Sequence, residues 1–169
     1  TLSVEQSKAR ASVGTKTPDA HITEVSRTSL FTDADVDTYQ RLLRIAGTTG
    51  AVATAMGKEP QLAIFDASGA STKLRSALGL PKEAEDLDIV QTGENEFQVA
   101  YCFKYELCLL NVGAKETSEP RVVYSMPDDH GERPAFRAIR YISPNFLVAA
   151  SNLPKRRGVV IQAFRLPKG

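Results

Sequence analysis

"DLDIVQTGENEFQVAYCFKYELCLLNVG", Asp86 to Gly113, decides how this chain is read. A strand-like run leads into a polar turn over Gln91–Asn95. A second run follows, Phe97–Phe103, apolar at nearly every position; Lys104-Tyr105 then turns the chain into a third, Glu106–Val112. β-Branched and aromatic residues in short runs, punctuated by Gly and Asn, indicate strands. The same layout occurs on both sides, as "LLRIAGTTGAVATAM…QLAIFDAS" from Leu42, turning over Gly47–Gly50, and "AIRYISPNFLVAAS…GVVIQAFRL" from Ala138, turning at Ser143-Pro144-Asn145. With Ile45, Ile89 and Tyr141 taken as equivalent, the repeats are offset by 44 and 52 residues. That is close to the roughly 40–50-residue period of propeller blades.

The second strand of each repeat (AVATAM, FQVAYCF, FLVAAS) is apolar on both faces, as a strand covered on both sides by neighbouring sheets must be. Ala53, Ala55, Ala100, Ala149 and Ala150 suit the crowded region near the axis of a ring of sheets. Arg121–Ser125 supplies a fourth strand after the middle repeat. Ser71–Leu80 (STKLRSALGL) follows the first repeat and reads either as a helix or, over Thr72–Ala77, as the equivalent fourth strand. Ile22–Phe31 alternates moderately and is a further strand candidate, while residues 1–21 are polar and charged.

The expected fold is therefore all-β: a degenerate, WD-repeat-like β-propeller, of which this chain is an arc of about three to four four-stranded blades. Residues 1–37 would form an incomplete blade and connection, 38–80 and 84–126 a blade each, and 134–166 an incomplete blade. The chain has no Trp, so the Trp-Asp dipeptide of regular repeats is missing. Such an arc cannot close a ring, and is expected to be a piece of a larger protein that leaves apolar blade faces uncovered.

Composition narrows the function classes. With 21 basic and 20 acidic side chains the net charge is +1, which exerts no global pull toward nucleic acid or an anionic membrane. Two cysteines and no N-glycosylation sequon do not match a disulfide-stapled secreted domain. No apolar run approaches the roughly 20 residues needed to span a bilayer.

Few residues suggest chemistry. Cys102 and Cys108 are expected to face each other across one hairpin; with the two further ligands of a zinc site missing and a disulfide unsuited to a reducing compartment, they read as buried free thiols. "PDDHGERP", Pro127–Pro134, places Asp128, Asp129 and His130 beside Glu132, a set that could bind a metal or do acid–base work but, with no nucleophile suggested in the same loop, reads as a solvated connection. "TDADVDTYQ", from Thr32, lacks the glycine and closing glutamate of a calcium loop. Gly57-Lys58 lacks the upstream glycine of a phosphate loop. His21 carries no signal of its own. Lys155, Arg156 and Arg157 form a basic loop too short for nucleic-acid binding without aromatic platforms. No catalytic or metal-binding constellation emerges, and an interaction scaffold is the reading that the residues support by themselves.

Three tracts carry a resemblance: "TYQRLLRIAGTTGAVATAM", "EDLDIVQTGENEFQVAYCFKYELCLLNV" and "FRAIRYISPNFLVAASNLPKRRGVVIQAFRL". From about Thr28 to Leu166 the chain resembles the cytosolic propeller of the endoplasmic-reticulum guanine nucleotide-exchange factors, most of all the fungal ones. These activate the small GTPase that starts coat protein complex II assembly. The resemblance implies a seven-bladed propeller on the cytosolic face of the endoplasmic-reticulum membrane, anchored by a segment outside this chain. It implies nucleotide exchange without covalent chemistry, with the GTPase as partner. The family's potassium-binding, Gly/Asn-rich first-blade loop has no counterpart here, so no potassium site or other cofactor is expected in this segment. In a four-stranded blade, the loop between second and third strands shares a face with the connection to the next blade. Lys155, Arg156, Arg157, Asp128, Asp129 and His130 are accordingly the expected partner-binding residues.

Overall fold

The computed structural model describes residues 40–54, 60–68, 71–128, 133–153 and 158–166. Eleven strands and no helix occur among them. They form three antiparallel meanders, in which each strand pairs with its neighbour in the chain. The first sheet contains β1 (Gln40–Ala46), β2 (Thr49–Thr54), β3 (Gln61–Ser68) and β4 (Ser71–Gly79). The second contains β5 (Asp86–Gly93), β6 (Glu96–Cys102), β7 (Glu106–Val112) and β8 (Arg121–Ser125). The third has β9 (Ala135–Ser143), β10 (Phe146–Asn152) and β11 (Val159–Arg165). The candidates in residues 1–39 lie outside the described residues.

The all-β expectation is met, and the ambiguity over Ser71–Leu80 resolves as strand. β4 pairs with β3 from Gln61↔Gly79 to Ser68↔Ser71, with one bulge at Ile64/Phe65. Its own residues lack a clean alternation of apolar side chains. The ladder offered by β3 supplies the backbone partners that settle its conformation.

Turn residues set the hairpins, with adjustments. The β1–β2 turn is only Gly47-Thr48, and Gly47 takes φ +56°. Glycine at the first central position with positive φ is the pattern of a two-residue hairpin turn. Thr49 and Gly50, expected in the turn, belong to β2. Gly50 has a packing role: a Cβ there would lie 2.2 Å from the Phe65 ring, its partner across β3. Similarly β5 runs on to Gly93, and the turn is Glu94-Asn95 with Asn95 at φ +59°, a conformation asparagine tolerates. Pro144-Asn145 joins β9 to β10, with proline where its fixed φ suits a turn.

The second sheet is covered on both faces. Phe97, Val99 and Tyr101 of β6, with Cys108, Leu110 and Val112 of β7, pack with Leu62 and Ile64 of the first sheet. The alternate residues Ala100, Cys102, Leu107 and Leu109 pack with Phe136, Ile139, Leu147 and Ala149 of the third. The doubly apolar run FQVAYCF thus has the two apolar neighbours it requires. FLVAAS has only one: Leu147, Ala149 and Ser151 are buried, whereas the alternate residues Phe146, Val148 and Ala150 are not.

This alternation corrects the pairing of the cysteines. Cys102 pairs with Leu107 and Cys108 with Tyr101, so the two thiols lie on opposite faces of the second sheet, each in a different core. Both are free and buried. Burial pushes Cys102 up to about 12 and Cys108 up to about 11. A thiol reagent at pH 8 is therefore expected to label neither in the folded chain and both in urea. An unfolded thiol ionises near pH 8.5, while the folded ones still hold their protons. Their contribution to stability is complete below that pH and is lost as pH rises through the folded values. Urea midpoints between pH 8 and pH 11 check the sign: a rise instead of a fall would contradict it.

Candidate interaction face and the seam between sheets

Both connections between sheets emerge at the same end of the second sheet as its β6–β7 turn. After β4, Lys82 places Nζ 2.7 Å from Glu106 Oε2 and 4.7 Å from the Phe103 ring centroid. After β8, the Met126 N–H donates to the Tyr105 carbonyl (2.8 Å), and the Phe136 N–H to that of Lys104 (2.9 Å). The Arg133 guanidinium sits 4.5 Å over the Tyr105 ring, and its Nε donates to the Met126 carbonyl at 2.6 Å. Lys104 reaches the same ring at 5.1 Å. Lys82, Lys104 and Arg133 thus lie over aromatic rings at this end, contacts of about 0.5–1 kcal/mol each where exposed.

Asp128 is exposed in the β8–β9 connection. Asp129, His130, Lys155, Arg156 and Arg157 lie outside the described residues. The stem of the basic loop is nevertheless defined. Asn152, at the end of β10, pairs with Val159 on one side and Ala135 on the other, and the Leu153 N–H donates to the Gly158 carbonyl at 3.2 Å. Ala135 follows directly on Arg133-Pro134. The stem of the 154–157 loop and the β8–β9 connection therefore stand at one end of the sheets, next to the Lys104-Tyr105 turn. Among the described residues, no group of three or more His, Cys, Asp or Glu side chains could hold a metal ion.

A second polar cluster lies where the first strands of the three sheets meet. Asp86 opens β5 and is 4% exposed. Its Oδ1 accepts from Arg44 Nη2 of β1 at 3.2 Å; its Oδ2 accepts from the Ile139 N–H of β9 at 2.9 Å and from Arg140 Nη1. Two residues on, Asp88 Oδ2 accepts from the Tyr141 N–H at 2.7 Å. Both carboxylates stand in for backbone carbonyls. Their partners advance by two residues together, so β5 and β9 run in the same direction. The Tyr141 hydroxyl donates to Gln98 Oε1 (2.9 Å), and Gln98 Nε2 donates to Asn111 Oδ1 (2.9 Å), which carries the network across the second sheet. Burial, aided by the Asp88 charge, raises the Tyr141 hydroxyl well above the ordinary tyrosine value. That phenol stays neutral and acts as a donor.

This seam was not foreseen. Its signal was present: two acids alternating with apolar residues in "DLDIV" cannot all face a core, and Arg44 and Arg140 occupy matching repeat positions. No family model matches the chain, and no curated protein matches it either.

Proposed function

We propose that this chain is an arc of a β-propeller within a guanine nucleotide-exchange factor for a small GTPase of the coat protein complex II pathway. The observation that carries the reading is the succession of meanders. Each sheet covers the face of the next, and their first strands lie side by side, joined through Asp86 to Arg44 and to β9. Blades of a propeller are arranged in this way. The exchange activity rests on the resemblance of the three tracts. On this reading the segment supplies middle blades of a seven-bladed ring, on the cytosolic face of the endoplasmic reticulum, with the anchor elsewhere in the protein.

The chemistry is binding alone. An exchange factor that grips the nucleotide-free GTPase more tightly than the GDP-bound form shifts the population toward release, by as much as the difference in affinity. No residue of this segment needs to react, and none is assigned a catalytic role. Lys155, Arg156 and Arg157 lie, on this reading, at the rim of the GTPase surface, beside Asp128, Asp129 and His130, and steer an acidic patch of the partner. Rim charges act mainly on association rate.

The test is release of a fluorescent GDP analogue from the GTPase with the full-length protein. Acceleration is expected; binding without acceleration would leave a propeller scaffold, and no binding would end the proposal. Replacing Lys155, Arg156 and Arg157 together by Ser should slow association roughly threefold to tenfold at low salt. The deficit should shrink as salt brings the Debye length below about 8 Å. Equal association rates at low salt would show that the loop meets no partner.

A further inference from the structure

We infer that Tyr105, with Lys104 and Arg133 stacked on its ring, is the anchor that holds a carboxylate side chain of the GTPase, resting on the exchange-factor reading for the partner and on geometry for the site. Lys104 and Tyr105 form the tip of the β6–β7 hairpin, which the Phe103 N–H closes by donating to the Glu106 carbonyl at 2.9 Å. The connection that follows β8 grips this tip from outside: the Tyr105 carbonyl accepts from the Met126 N–H, and the Lys104 carbonyl from the Phe136 N–H. With both carbonyls engaged, the tip is held in one conformation. The Tyr105 side chain packs in part on the core shared with the third sheet, while Lys104 is exposed. This site lies at an end of the sheets, not on a face that a neighbouring sheet covers.

The cations at this end are not alike. Lys82, over the Phe103 ring, has Glu106 Oε2 at 2.7 Å and is already paired. Lys104 and Arg133 share the Tyr105 ring, at 5.1 and 4.5 Å from its centroid, and among the described residues neither meets a carboxylate. Two like charges gathered on one ring repel, and a carboxylate arriving between them relieves that repulsion. Arg133 Nε is taken up by the Met126 carbonyl, which leaves both Nη groups to meet a carboxylate end-on with two parallel hydrogen bonds. The ring fixes the plane of the guanidinium, so little side-chain freedom remains to be lost on binding. Arginine and tyrosine held in advance are residues from which binding hot spots are built. Charges at a rim act mainly on arrival of the partner, whereas an anchor of this kind acts on its departure.

Dissociation of the nucleotide-free GTPase from the full-length protein, followed in real time on a sensor surface, tests this. Lys104→Gln should speed dissociation roughly threefold to tenfold, and Lys104→Gln with Arg133→Gln roughly tenfold to 100-fold. Association should change by less than about threefold. Lys115→Gln, in the exposed β7–β8 loop at the opposite end of the second sheet, should alter neither rate. The Lys104 side chain is exposed, so its variant stays folded even if loss of the Arg133–Met126 contact loosens the double one. Unchanged dissociation for Lys104→Gln would overturn the anchor and leave the exchange-factor reading standing. Equal acceleration by Lys115→Gln would overturn it too, since any lost positive charge would then have the same effect. No binding of the GTPase by the unaltered protein would end both, and is told apart because it appears before any substitution is made.

Discussion

Phe136→Ala is expected to lower the stability of the folded chain by about 3–5 kcal/mol, the range for removing a large buried aromatic side chain. Phe136 is fully buried and stands where β9 enters the third sheet. Its ring centroid lies 6.3 Å from that of Tyr124 on β8 and 6.4 Å from that of Phe164 on β11; Tyr124 and Phe164 are 4.9 Å apart, edge to face. The three rings join the outer strand of the second sheet to both margins of the third. Removing the central one opens a cavity that strands on either side cannot close without breaking ladders. Urea denaturation measures the loss. Ile45→Ala, at a site 56% exposed, is the control and should change stability by under about 0.5 kcal/mol. A loss below about 1 kcal/mol for Phe136→Ala would mean that the second and third sheets are not held together there.

Asp86→Ala should be nearly as damaging, for a different reason. The side chain contributes almost no apolar burial, but it is the acceptor for Arg44, Arg140 and the Ile139 N–H. Removing it strands a buried backbone donor, at about 1–3 kcal/mol, and loses charge-assisted bonds as well. The arginines are 29% and 51% exposed and can turn to water, which keeps the total below that of a fully buried pair. A loss of about 2–4 kcal/mol is expected. Asp86→Asn should restore part of the loss, because its one amide oxygen can still accept from the Ile139 N–H while the NH2 group faces Arg44 and the charge is gone. Arg140→Ala alone should cost under about 1 kcal/mol, as a half-exposed partner does. A double-mutant cycle of Asp86 and Arg140 separates the terms. If Arg140→Ala costs as much as Asp86→Ala, the ion pair dominates and the backbone contact to Ile139 is secondary.

Much of the architecture could be read from the residues. Period-two apolar runs, with Gly47, Asn95 and Pro144-Asn145 between them, place the strands and hairpins, because side-chain alternation and turn dihedrals are local properties. The doubly apolar FQVAYCF foretold a sheet covered on both sides. Of the expected partner-binding residues, charge and loop composition singled out Lys155–Arg157 and Asp128–His130. The structure adds that the stem of the first loop stands beside the connection carrying Asp128.

Other features depended on contacts between distant parts of the chain. STKLRSALG has no decisive pattern, and only the free edge of β3 makes it a strand. Gly50 looks like a turn residue until the Phe65 ring is laid on it. Cys102 and Cys108 look like partners across a hairpin until the register sends them into separate cores. Asp86 looks like a surface acid at the start of a strand; its donors lie 42, 53 and 54 residues away. Outside β4, sequence alone determined where the described residues extend and turn, since those preferences belong to each residue and its neighbours. Which face meets which, and which carboxylate replaces a backbone carbonyl, was decided by tertiary structure, because hydrogen bonds and packing between sheets arise only once distant segments are brought together.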